Sequence, residues 1–168
     1  ASGTQQIFAR NRLVVVFPEE NPIGLNDLKD LARQGLKLVL AAQEVPVGQY
    51  TLDFLDRAVA DATLGAAYKD AVLGNVVSYE NNTRSVLAKV ALGEADAGIV
   101  YSSDATGKIA SGVGRLAIPD RLNVIAAYPI TLVAGSKHPD AARAFIDLVF
   151  SPEGQAILAK YGFIPGAG

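Results

Sequence analysis

Short apolar runs rich in β-branched residues recur along this chain, and stretches in which apolar residues return every three or four positions alternate with them. This alternation constrains the fold most, because buried strands interleaved with amphipathic helices build a sheet with helices packed on its faces, an α/β architecture. The runs predict strands over 12–17, 36–41, 76–79 and 97–101, and a long extended segment over 124–133. Pro129 inside that last segment predicts an edge or crossover position, since proline cannot donate to a central ladder. Helices are expected over 27–33 (capped by Asn26, closed by Gly35), from about 48 to 64, over 67–73 (stopped by Gly74) and over 84–92 (ended by Gly93). On the second of these Tyr50, Phe54, Leu55, Ala58, Val59 and Ala62 share one stripe. Residues 111–115 read as a glycine-punctuated loop, and two closing helices run from Pro139 to Phe150 and from 151–153 to Lys160.

Composition removes whole classes of function. With no cysteine and one histidine in 168 residues, disulfides, thiolate nucleophiles, zinc ribbons, iron–sulfur clusters and two-histidine metal sites are excluded. Fifteen basic against seventeen acidic residues, with no basic run, give no footprint for nucleic acid or an anionic membrane. The uncharged stretch over 123–136, 14 residues long and interrupted by Pro129, is too short and too interrupted to span a bilayer. The chain starts at Ala1 and contains no methionine, so a processed product is expected, with any signal peptide already removed.

Catalysis finds little support. The Gly-x-Ser-x-Gly elbow and the phosphate-binding Walker loop are both missing, and His138 lies in a Lys-His-Pro-Asp turn. The paired carboxylates Glu19-Glu20 and Asp53 with Asp56 fall on a turn and on a polar helix face, where solvated surface is the ordinary reading. We therefore expect a binding protein, with no catalytic residue, cofactor or metal ligand.

Three loops each follow a buried strand and feed an expected helix N-terminus: residues 45–48, 81–84 and 101–104. In a parallel sheet such starts gather at the carboxyl edge, where unpaired N–H groups and a partial positive potential suit a small anion. Gly48 lets backbone approach a ligand, Asn82 caps a helix, Thr83 adds a hydroxyl to its own N–H, and Tyr101 can offer a phenol O–H. Taken singly, the first loop is ordinarily only an entry into a helix, the second only a cap, and Tyr101 a half-buried aromatic with its hydroxyl in water. Arg84, in the first turn of its helix, either faces the anion or pairs with Glu80.

The segments Phe8–Val16, Val45-Pro46-Val47-Gly48-Gln49-Tyr50, Thr83-Arg84-Ser85-Val86-Leu87, Ala97-Gly98-Ile99-Val100-Tyr101-Ser102-Ser103-Asp104-Ala105, Tyr128-Pro129-Ile130 and Tyr161-Gly162-Phe163 together resemble the periplasmic molybdate-binding proteins of ABC importers. Their order and spacing agree over essentially the whole chain. The resemblance implies a type II periplasmic-binding-protein fold, in which two α/β lobes clamp a tetrahedral oxyanion without counter-charge. Carried over position by position, it implies backbone donors at Val47 and Thr83 and a phenol donor at Tyr101, with molybdate or tungstate as ligand, an ABC permease as partner and an extracytoplasmic location.

Set against the family pattern, the chain begins just before the first crossover strand. The portion of lobe one that supplies two serine-type ligands is thus expected to be missing. The resulting division is a crossover or hinge segment at 1–11, a complete three-layer lobe two at 12–127, and the C-terminal part of lobe one at 128–168. Apolar residues on that last part, Phe145, Leu148, Ile157 and Leu158, would normally pack against the missing elements, and left exposed they favour a homodimer or swapped assembly. The alternative readings are a protein for another oxyanion or small acid, such as sulfate or phosphate, and the ligand-sensing effector domain of a regulator.

Overall fold

The computed structural model describes residues 5–107 and 110–166, and the chain divides into two compact units. Arg12–Val124 forms one; the residues up to Asn11 and from Ile125 onward form the other.

Within Arg12–Val124, five strands pair in the order β4-β3-β5-β2-β6: β2 Leu13–Pro18, β3 Leu38–Ala41, β4 Val76–Glu80, β5 Ala97–Tyr101 and β6 Val113–Ala117. Strand β3 is parallel to both β4 and β5, whereas β2 is antiparallel to both β5 and β6. The central strands β2, β3 and β5 are buried at nearly every position, with no inward–outward alternation. Strands of that kind must be covered on both faces. The edge strand β4 does alternate, leaving Val77 and Tyr79 exposed.

The helices follow from the same physics. Helix α1, Pro46–Val59, opens with proline at its first position and buries Val47, Gly48, Thr51, Phe54, Leu55 and Ala58. Helix α2 is Tyr68–Gly74 and α3 is Thr83–Ala91, whose Val86, Leu87 and Val90 are buried. At Gly98 on β5 a Cβ would lie 2.7 Å from Val86 Cγ1 and 2.9 Å from the Val39 carbonyl, so only glycine lets α3 sit this close to the sheet.

The other unit holds a three-stranded antiparallel sheet in the order β7-β1-β8: β1 Gln6–Asn11, β7 Ala126–Ile130 and β8 Ile164–Pro165. Pro129 lies on the edge strand β7, as its missing N–H requires. Gln155 of α5 (Pro152–Lys160) ties the helix to the sheet, donating from Nε2 to the Phe8 carbonyl at 3.1 Å. Neither α5 nor α4 (Pro139–Phe150) has a buried residue, and Phe145, Leu148, Ile157 and Tyr161 are all exposed. Leu158 differs from its expected exposure and is half-buried.

Several sequence expectations need correction. Within the segment read as crossover or hinge, residues 6–11 form the middle strand of the small sheet. Ala126 and Ala127, expected at the end of the larger lobe, pair instead with Asn11 and Arg10. Of the loop expected over 111–115, residues 113–115 belong to a strand, β6, in which Gly114 seats the ring of Phe17 where a Cβ would lie 2.3 Å away. The element expected over 27–33 is a short 3₁₀ helix, Leu28–Ala32, capped by Asp27 rather than Asn26 through a reciprocal Asp27–Asp30 box. Helix α1 stops at Val59, five residues early, and Asp61 then accepts from the Thr63 N–H at 2.9 Å in a turn.

The larger unit is closed by Asn123, which is 1% exposed. Its Oδ1 accepts the Leu13 N–H at 2.9 Å, and its Nδ2 donates to the Leu13 and Ile118 carbonyls at 2.8 and 3.1 Å. Arg57 also donates to the Asn123 carbonyl. Removing the carboxamide leaves these buried backbone groups without partners, so Asn123→Ala should lower stability by about 3 kcal/mol, read from the urea unfolding midpoint.

Candidate functional site

Because β3, β4 and β5 run parallel, their carboxyl ends fall at one edge of the sheet. Ala41 stands opposite Glu80, and the Ala42 N–H donates to the Glu80 carbonyl at 2.8 Å, binding the exits of β3 and β4 together. Leu13 pairs with Tyr101, and the Ser102 N–H donates to the Arg12 carbonyl at 2.9 Å, so the start of β2 lies at this edge too. All three loops singled out from the sequence therefore open here.

The β3 exit is the most tightly constrained of the three. Val45 caps α1, Val47 is buried, and Thr51 Oγ1 donates back to the Val47 carbonyl at 2.8 Å. A Cβ on Gly48 would lie 2.0 Å from the Ala42 carbonyl oxygen and 2.7 Å from that of Ala41. Glycine is what allows the first turn of α1 to rest on the strand exit. As the second residue of the helix, Val47 has an N–H with no intrahelical acceptor.

At the β4 exit, Asn82 caps α3: its Oδ1 accepts the Ser85 N–H at 2.9 Å and the Ser85 hydroxyl at 3.2 Å. That oxygen is engaged by the cap, so Asn82 contributes first of all by fixing the helix start. Thr83, half-buried, is the first residue of α3, and its N–H is again one of the helix's orphan donors. At the β5 exit the expected helix start is a turn instead: Tyr101 is half-buried, and its carbonyl accepts the Asp104 and Ala105 N–H groups at 3.0 and 3.3 Å. Its ring meets that of Tyr50 edge-on, with centroids 6.4 Å apart and planes at 72°.

Charge at this edge is largely neutralised in pairs. Glu80 accepts from Lys89 Nζ at 2.5 Å and from the Ser78 hydroxyl at 2.6 Å, and these two bonds, the lysine's first, hold its carboxyl below the usual glutamate range. Of the two roles open to Arg84, pairing with Glu80 is thus not the one seen: the lysine takes that carboxylate and Arg84 is exposed. Arg12 pairs with Asp120 at 2.9 Å. One group was not anticipated as distinctive: Asp104 Oδ2 is buried without a hydrogen-bond partner. The sequence carried no signal for it beyond its place in the Tyr101 turn.

What gathers at the edge is a set of amide and hydroxyl donors, suited to an anion that keeps its charge when bound. A concavity of about 450 Å³ lies beside this set and is lined by Leu40, Gln43, Leu52, Leu73 and Tyr79 among others. It meets Gly48 but not Val47, Asn82, Thr83 or Tyr101. Among the described residues no cluster of histidine and carboxylate side chains could hold a metal ion.

Comparison with known proteins agrees with this architecture. A family model described as bacterial extracellular solute-binding protein matches residues 1–164. The molybdate-binding protein ModA of Mycobacterium tuberculosis is 35% identical over 162 residues, covering 96% of this chain and 57% of that protein. A substrate-binding domain from Clostridium difficile, assigned to a molybdenum ABC transporter, superposes with a TM-score of 0.80 at 26% identity over 98% of this chain and 68% of that one. The periplasmic molybdate-binding protein of Azotobacter vinelandii shares the fold, with a TM-score of 0.71 at 17% identity over 98% of this chain and 69% of its own. The architecture is that of periplasmic binding proteins, and the chain spans 57% of the length of the mycobacterial relative.

Two outcomes follow from the geometry of this edge. Gly48→Ala should destabilise the protein by about 1–3 kcal/mol despite alanine's better helix propensity, because the new methyl must displace backbone; thermal melts check this. The lowered Glu80 pKa contributes stability that is present above the unfolded glutamate value and lost as pH falls through the folded one. Glu80→Gln should therefore lower stability at neutral pH and flatten its decline on the acid side, as urea titrations across that range would show.

Proposed function

This chain belongs to the bacterial extracellular solute-binding protein family, and from that premise we propose that it captures a tetrahedral oxyanion, molybdate or tungstate, and delivers it to the permease of an ABC importer. The observation that carries the reading is the shared edge of β3, β4 and β5, which brings the starts of α1 and α3 and the end of β5 together. Val47 and Thr83 supply backbone N–H donors there, Thr83 can add its hydroxyl, and Tyr101 supplies a phenol O–H. Gly48 and Asn82 hold the two helix starts in place. None of these donors carries charge, so the anion is held by oriented dipoles and is not neutralised.

The family is one of solute-binding proteins, not enzymes, and the proposal needs no bond to form or break. The mycobacterial relative's name supports the choice of molybdate over other oxyanions. Delivery to a permease places the protein outside the cytoplasmic membrane; among the described residues no helix is long and apolar enough to cross one.

Asp104 favours a second reading. A buried carboxylate oxygen without a protein partner can accept a hydrogen bond from a ligand that carries a proton, such as hydrogen phosphate, and it opposes a fully deprotonated anion brought close to it.

Calorimetric titration of the protein with molybdate, tungstate, sulfate and phosphate decides between them. Molybdate and tungstate should bind well ahead of sulfate and phosphate, and Tyr101→Phe should weaken them roughly 10- to 100-fold, the range for a lost hydrogen bond to a charged partner. Phosphate in first place would favour the Asp104 reading, and unchanged affinity in Tyr101→Phe would remove Tyr101 from the site.

A further inference from the structure

We infer that Tyr50 is a positioning residue that fixes the spacing between the Val47 and Tyr101 donors, and thereby the size of tetrahedral oxyanion this edge accepts. The inference rests on the oxyanion reading above and adds to it a residue that touches no ligand.

Tyr50 lies three residues beyond Val47 in α1, so the two share one side of the helix's first turns. That part of α1 has little freedom to move. Gly48 rests against the Ala42 carbonyl, Ala42 is tied to Glu80, and Thr51 donates to the Val47 carbonyl. Tyr50 therefore projects from a fixed base.

Tyr101 is differently placed. It is the last residue of β5, paired to Leu13 on one side, and the chain turns immediately after it. Its backbone is set by the ladder, but the direction of its ring depends on what the ring packs against. Both tyrosine rings are half-buried against the core, and they meet edge-on at 6.4 Å and 72°. An edge-to-face pair is directional, because the positive ring edge of one tyrosine seeks the negative face of the other. Tyr50 thus transmits the position of the α1 start to the Tyr101 phenol.

The consequence concerns selectivity. Molybdate and sulfate carry the same charge and tetrahedral shape and differ in size, so uncharged donors can separate them only by being held at fixed distances. A Tyr101 ring free to tilt would follow a smaller anion inward and lose the distinction.

The test compares Tyr50→Leu, Tyr50→Gln and Tyr50→Phe with Tyr101→Phe in the full chain, measuring molybdate and sulfate affinities, melting temperature and the near-ultraviolet tyrosine dichroism. Tyr50→Leu should bind molybdate about three- to tenfold more weakly, the range for one lost aromatic pair, and its molybdate-over-sulfate ratio should fall by a similar factor. The dichroism should change with it, and Tyr50→Phe, which restores the ring, should recover both affinity and ratio. Tyr50→Gln gives the same comparison if the leucine variant melts early. Wild-type affinity and ratio in folded Tyr50→Leu or Tyr50→Gln, alongside a loss in Tyr101→Phe, would overturn the role of Tyr50 while leaving the oxyanion reading intact. No response to Tyr101→Phe would overturn both.

Discussion

The parallel pairing of β3 with β4 and with β5 is the constraint on which the rest of the larger unit depends. Parallel neighbours cannot be joined by a tight turn, so each must be reached by a crossover through a helix. Here those crossovers supply α1 with α2, and α3. The same pairing puts the exits of these three strands at one edge, so that the helix starts lie side by side. Had β3 and β4 been antiparallel, the starts of α1 and α3 would open on opposite edges of the sheet and no shared donor set could exist. The apolar content of β2, β3 and β5 makes the pairing stable: strands buried on both faces contribute large apolar area and leave their backbone groups paired with one another.

Once the edge exists, its precision comes from short polar contacts around it. Asn123 clasps Leu13 at the base of β2, Ala42 reaches Glu80, and Lys89 and Ser78 hold the Glu80 side chain. These contacts engage Glu80 and Lys89 near the strand ends, while Arg84 stays exposed in the first turn of α3. The backbone amides and hydroxyls at the helix starts are uncharged donors, the character an oxyanion needs. Asp104 is the exception, and its buried, unpartnered oxygen makes it the most informative side chain of the edge for judging which anion fits.

The smaller unit is built on a different balance. Its three-stranded sheet is held by β1 at the centre, by the rings of Phe8, Tyr128 and Phe163, and by Gln155, yet neither of its helices buries a residue. Much of its apolar surface, including Val133 and Phe145, stays open to solvent. The larger unit carries the main core, and the stability of that unit is what the donor edge depends on.

Much of this was legible in the sequence. The apolar run at 97–101 and the helix from Pro139 to Phe150 fall where the residues alone placed them, since β-branched runs, capping residues and proline or glycine punctuation act over a few positions. The helix starts at Val47, Gly48, Asn82 and Thr83 and the strand end at Tyr101 were legible for the same reason. Strands β1 and β6 were not, because each becomes a strand only through a partner far along the chain: β1 beside β7 and β8, β6 beside β2. Nor could the sequence show that Tyr50 meets Tyr101, that Lys89 and not Arg84 takes Glu80, or that Asp104 keeps a buried oxygen unpaired. Local propensity and periodicity determined where the central strands and most helices fall, though not where α1 ends. Only the tertiary structure decided which elements lie side by side, because pairing across a sheet is fixed by burial and long-range hydrogen bonding, which no local pattern encodes.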